Sequence, residues 1–132
     1  MTNDMIDLAR RAVASPRWRW LPGMRVVYAG SDKAFRVCTA RRTWCRPDGE
    51  LPDLSDPVTV EAVGILACEA LGADAINVSV GVAPDMSGLS RVMWSARTYR
   101  GQRIASGSTL SRHLRQAAYV AALEAAPTPE ER

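Results

Sequence analysis

The sequence predicts an α+β fold: an antiparallel sheet of four to five strands packed with three helices, in the order α-β-β-α-β-β-β-α. Three observations predict it. Apolar residues recur at helical spacing from Met5 to Val13, from Val58 to Leu71 and from Leu110 to Ala125. Apolar and polar residues alternate strictly from Ile76 to Val82, the pattern of a strand with one buried face. Short turns, rather than long crossovers, join the strand patterns, which favours antiparallel pairing.

The first helix is expected from a cap at Thr2 or Asn3 to about Ala14. Met5, Leu8, Ala9, Ala12 and Val13 form its apolar stripe, and Asp7 and Arg11 stand four apart on its exposed side. Ser15-Pro16 ends it, because proline disfavours the α conformation in the preceding residue. PRWRWLPGM, Pro16 to Met24, then reads as an aromatic corner that closes one end of the core. Strands follow at about Arg25 to Ala29 and Phe35 to Trp44, with a turn at Gly30 to Lys33 between them. Arg46 to Asp56 reads as an exposed loop.

Asp56-Pro57 opens the second helix, with a capping carboxylate and a proline at the first helical position. That helix is apolar on most sides, so it is expected to be the most buried, and Gly64 is placed to allow close approach. Arg91 to Arg100 forms the next strand, with Val92, Trp94 and Ala96 on one face and Arg91, Met93, Arg97 and Tyr99 on the other. A short strand at Arg103 to Ala105 follows, and Ser108 is expected to cap the last helix. The predicted core includes Trp20, Ile65, Leu66, Val78, Val80 and Trp94.

At 132 residues the chain reads as one domain over 1–132, with 126–132 as a frayed tail. Three cysteines at irregular spacing do not form a disulfide framework, and a reducing cytoplasm fits them. No stretch is long and apolar enough for a membrane span, and the early Asp4 and Asp7 do not suit a signal peptide.

Charge is segregated. Arg10 to Arg46 holds ten basic residues and one acid; Asp48 to Asp74 holds seven acids and no base. The acids Asp48, Glu50 and Asp53 are the candidate partner-binding group, offered by the exposed loop to a basic site. Arg17, Arg19, Arg36, Arg41 and Arg42, with Trp44 for stacking, are the candidate nucleic-acid face. Convergence of these arginines on one uninterrupted face would favour nucleic acid; interruption by acids would favour a protein partner.

Catalytic signatures are weak. The single histidine, His113, lies at the edge of a helical stripe, and no paired-cysteine spacing suggests zinc. The acidic loop lacks the ligand spacing of a calcium hand, and the glycines are isolated turn residues. No catalytic residue, metal or cofactor is expected.

LARRAV (Leu8 to Val13), WRWLPGM (Trp18 to Met24), PDLSDP (Pro52 to Pro57) and AALEAAP (Ala121 to Pro127) together resemble a group of small proteins encoded in tailed bacteriophages and prophages. The match covers both ends and one internal loop; Arg112, His113 and Arg115 depart from the acidic final helix of that group. The resemblance implies a setting, a phage genome acting in the bacterial host cytoplasm, and carries no activity with it. The expectation is therefore a non-enzymatic accessory protein that binds and modulates a bacterial host protein or complex, with a defence inhibitor of the anti-CRISPR type as one form. It would act as a monomer or homodimer. The alternative is a nucleic-acid-binding module.

Overall fold

A computed structural model describes residues 1–28, 33–37, 49–72, 74–84 and 88–127. The elements are α1 (Asn3–Ala14), β1 (Arg25–Tyr28), β2 (Ala34–Arg36), β3 (Glu50–Pro52), α2 (Pro57–Leu71), β4 (Asn77–Pro84), β5 (Ser90–Arg97), β6 (Arg103–Ser111) and α3 (Leu114–Ala125). The fold is α+β, but the strands form two separate antiparallel sheets of three, ordered β2-β1-β3 and β4-β5-β6, where one sheet of four to five was expected.

The helix starts follow local chemistry. Thr2 Oγ1 accepts from the Met5 amide and caps α1. Asp56 caps α2 by accepting from the Thr59 amide, with Pro57 supplying the first helical position. Arg11 does not pair with Asp7; it donates across to Glu124 on α3 and ties the two helices together.

Two departures come from pairing that no local pattern shows. Glu50–Pro52, expected in a loop, is β3, because Val27 and Val26 of β1 take Leu51 and Pro52 as antiparallel partners. Residues Ser106 to Ser111 continue β6 beside β5 and do not begin the last helix. Ser108 is therefore a strand residue, and His113 occupies the position before α3.

α3 is the centre of the domain. It packs against α1, α2 and all three strands of the second sheet, and buries Ala117, Ala118, Val120, Ala122 and Leu123. α2 crosses it where Gly64 meets the Tyr119 ring; a Cβ on Gly64 would lie 3.0–3.2 Å from that ring. α2 is less enclosed than its apolar composition predicts. Leu66 is buried, but Ile65 is 54% exposed on the outer side. Of the other predicted core residues, Val78 and Trp94 are buried, while Trp20 and Val80 are half-buried and pack against the core from its edge. Trp18 and Trp20 meet edge to face at 5.2 Å, which forms the aromatic corner.

Candidate functional site

The second sheet has one covered face and one open face, and alternation along its strands decides which residues go where. On the covered face Val78, Val92, Trp94 and Ala96 are buried beneath α3. Gly107 stands opposite Trp94, and an added Cβ would lie 2.8–2.9 Å from the indole, so the glycine lets the indole lie across β6.

The open face is ordered by the register. Asn77, Arg97 and Arg103 form one row across the three strands; Ser79, Ser95 and Ser106 form the next. Gly81, Met93 and Ser108 form the third row, and Ala83, Arg91 and Leu110 the fourth. Ser79, Arg91, Met93, Arg103, Ser106, Ser108 and Leu110 are all exposed. The small side chains leave a trough of about 550 Å³ floored by Ser79, Gly81, Ser95, Ser106 and Ser108, with Met93 and Arg103 beside it. Guanidinium groups therefore stand at both ends of a hydroxyl-lined floor. Arg91 and Arg97 are separated by roughly 20 Å at about 3.4 Å per strand residue.

The β5–β6 turn extends the Arg97 end. The Gly101 amide donates to Thr98 O, the Thr98 amide donates to Gln102 O, and Gly101 takes a positive φ of 82° that a side chain would resist. Arg97 Nη1 donates to Gly101 O at 2.9 Å and steadies the turn. Tyr99, at its tip, is 73% exposed, with the Arg100 guanidinium 5.5 Å from its ring centre. Arg91 and Arg103 form no ion pair among the described residues.

The first-half arginines are arranged otherwise. Arg19 pairs with Glu69 at 2.6 Å, and Arg36 donates to both Asp56 oxygens and to Gly23 O. Arg17 Nε donates to Pro127 O, while its Nη2 is buried with no hydrogen-bond partner among the described residues. Two of these three arginines therefore stand against a carboxylate. Arg41, Arg42 and Trp44 lie outside the described residues, as does Asp48.

Two acids of the expected exposed loop, Glu50 and Asp53, are instead buried. Glu50, on β3, is only 5% exposed and accepts from Tyr28 Oη. Asp53 is 6% exposed; its Oδ1 accepts from the Ser55 amide and hydroxyl, and its Oδ2 lies 3.5 Å from Arg25 Nε. Glu50 joins β3 to β1, and Asp53 closes the turn between β3 and α2, where backbone donors leaving a strand need acceptors. Asp56 is held well down at about 2, first by the Arg36 hydrogen bonds and then by those from Thr59.

A second concavity, of about 610 Å³, lies between α2 and the outer edge of β4, lined by Ile65, Cys68, Ile76 and Tyr119 with Glu61 and Glu69. Burial and the neighbouring Glu69 push the Cys68 thiol up, away from the thiolate a nucleophile needs. Among the described residues no group of three or more His, Cys, Asp or Glu is placed to hold a metal ion, and no helix is long and apolar enough to cross a membrane.

The open face was partly legible. Arg91, Met93 and Arg97 fall on one side of β5 by alternation alone. Ser79 and Arg103 also fall on expected strands, but the expected strand at Arg103 to Ala105 stops short of Ser106 and Ser108, which only the pairing of β6 with β5 brings to this face. A compositional signal was present: Ala75 to Arg115 holds six arginines and one acid, Asp85, which lies outside the described residues. Comparison of the chain with protein-family models, with curated proteins and with solved structures finds no match.

Proposed function

We propose that this chain is a binding module without chemistry of its own, an accessory protein of the phage kind, that presents the open face of β4-β5-β6 to a nucleic-acid backbone in the bacterial cytoplasm. The observation that carries the reading is the register. It sets Arg91 at one end of a serine-floored trough and Arg97 and Arg103 at the other, with no carboxylate in any of the four rows. Guanidinium groups match phosphate geometry, and hydroxyls add neutral hydrogen bonds to phosphate or sugar. Fluorescence anisotropy with labelled DNA and RNA tests it. Affinity should fall with added salt, with a log–log slope of about −2 to −3 if three phosphates are engaged. Arg91→Gln, Arg97→Gln and Arg103→Gln together should remove most of it, while Arg19→Gln should not. No binding at low salt, or equal binding by the triple variant, refutes the reading.

A second reading rests on a different observation. Arg19 and Arg36 are each locked on a carboxylate, and the α2–β4 concavity carries the exposed Ile65 and Ile76. A surface of mixed charge with apolar contacts suits a protein partner. In that case the chain modulates a bacterial host protein or complex, with a defence inhibitor as one form. Affinity capture with the wild type and with Ile65→Lys/Ile76→Lys separates it from the first reading: a host protein held only by the wild type supports it.

A further inference from the structure

We infer that the open face of the second sheet takes a single strand of nucleic acid rather than a duplex, with one base stacked on Tyr99; the inference rests on the nucleic-acid reading above. Three features of the sheet and its β5–β6 turn lead to it. First, the face is floored by serine and glycine, and the four rows hold no protruding helix or two-stranded ribbon of the kind that enters a duplex major groove. Against such a floor a rigid duplex would present phosphates along one line only. A flexible strand can instead lie along the sheet and meet the guanidinium groups at both ends.

Second, Tyr99 is the most exposed aromatic side chain of the described residues that carry one, at 73%, and it stands on a turn held by Arg97 and Gly101. An aromatic ring on a steadied turn contributes nothing to the core. Arg100 lies over one side of the ring, its guanidinium carbon 5.5 Å from the ring centre, and its Nε donates to Tyr99 Oη at 3.0 Å; the opposite side is a platform for a flat base. In a duplex the bases are already stacked and offer that ring no face. Third, Ser79, Ser95 and Ser106 in one row can each donate or accept, so they hydrogen-bond base or sugar edges without selecting one base. Met93 adds an apolar contact in the adjoining row. Arginines at the ends, hydroxyls and a methionine between, and an aromatic at one edge match the needs of an unpaired strand: phosphate contacts, tolerant polar contacts and a stacking surface.

The test uses the full chain and labelled oligonucleotides of about 12 nucleotides, a length within the range that single-strand-binding domains cover. Single-stranded DNA, single-stranded RNA and a blunt DNA duplex are compared at low salt by anisotropy. Single strands should bind more tightly than the duplex. Tyr99→Ala should weaken single-strand binding by roughly 5- to 100-fold, as loss of one stacking contact does, and leave the salt slope unchanged. Tyr99→Trp should retain the affinity. A preference for RNA over DNA would identify the 2′-hydroxyl as a contact of the serine row. If the duplex binds as well as the single strand and Tyr99→Ala binds like the wild type, the inference is overturned; the wider reading still stands if the arginine variants lose binding. If no oligonucleotide binds, both fall together.

Discussion

Asp56→Ala is expected to be among the most costly single changes on the surface of the domain, because one carboxylate joins three elements. Its Oδ2 accepts from the Thr59 amide at the start of α2 and from the Thr59 hydroxyl at 2.7 Å. The same hydroxyl accepts from the Arg25 amide of β1 at 2.8 Å, and Arg36 of β2 donates to both carboxylate oxygens. Thr59 is fully buried. Removing the carboxylate costs about 1 kcal/mol for the helix cap. It also strands a buried hydroxyl proton, at about 1–3 kcal/mol. The Arg36 pair is half in solvent and adds little. The expected total is about 2–4 kcal/mol, read by urea denaturation. Asp56→Asn keeps an acceptor and should cost about 1 kcal/mol, the part due to charge. Depression from the usual 3.8 to about 2 would correspond to about 2.4 kcal/mol without screening, and solvent around Arg36 lowers it. A carboxylate with a depressed folded value stabilises above its unfolded value and loses that contribution as pH falls. The difference between wild type and Asp56→Asn should therefore be full above pH 4 and shrink between about 4 and 2. An Asp56→Ala variant as stable as the wild type, or a difference from Asp56→Asn that does not change across that window, would refute the network.

Three further outcomes are expected. Gly107→Ala should lower stability by about 1–2 kcal/mol, since its Cβ would meet the Trp94 indole at 2.8–2.9 Å, and the loss should be smaller in a Trp94→Phe background. Trp94→Ala should cost about 3–5 kcal/mol, whereas Trp20→Ala, at a half-buried site, should cost clearly less; equal melting temperatures for the two would contradict the burial. Ile65→Lys should leave the melting temperature nearly unchanged, while Leu66→Lys, one residue on, should prevent folding, as read by circular dichroism.

Local chemistry alone determined the starts of α1 and α2 and the faces of β4 and β5. Thr2 and Asp56-Pro57 satisfy helix-end donors from within a few residues, and the alternation of β4 and β5 states which side faces inward. Such features depend on neighbours in sequence. The tertiary structure decided everything that depends on what lies opposite in space. β3 has three residues and no pattern of its own; it is a strand because β1 offers it partners. β6 runs on to Ser111 because β5 is long enough to pair with it, which turned Ser108 from an expected helix cap into part of the floor of a face, with Ser106 beside it. Ile65 looked like core because a helix so apolar implies burial all round, yet α3 and β4 cover only part of it. The acids of 50–53 looked like a solvated loop because a carboxylate's usual place is water. Here Tyr28, Arg25 and Ser55 supply the donors that let them turn inward. Charge runs in the sequence showed how much charge the chain carries, but pairing across strands and helices decides which arginines are spent on carboxylates and which, like Arg91 and Arg103, remain to face solvent.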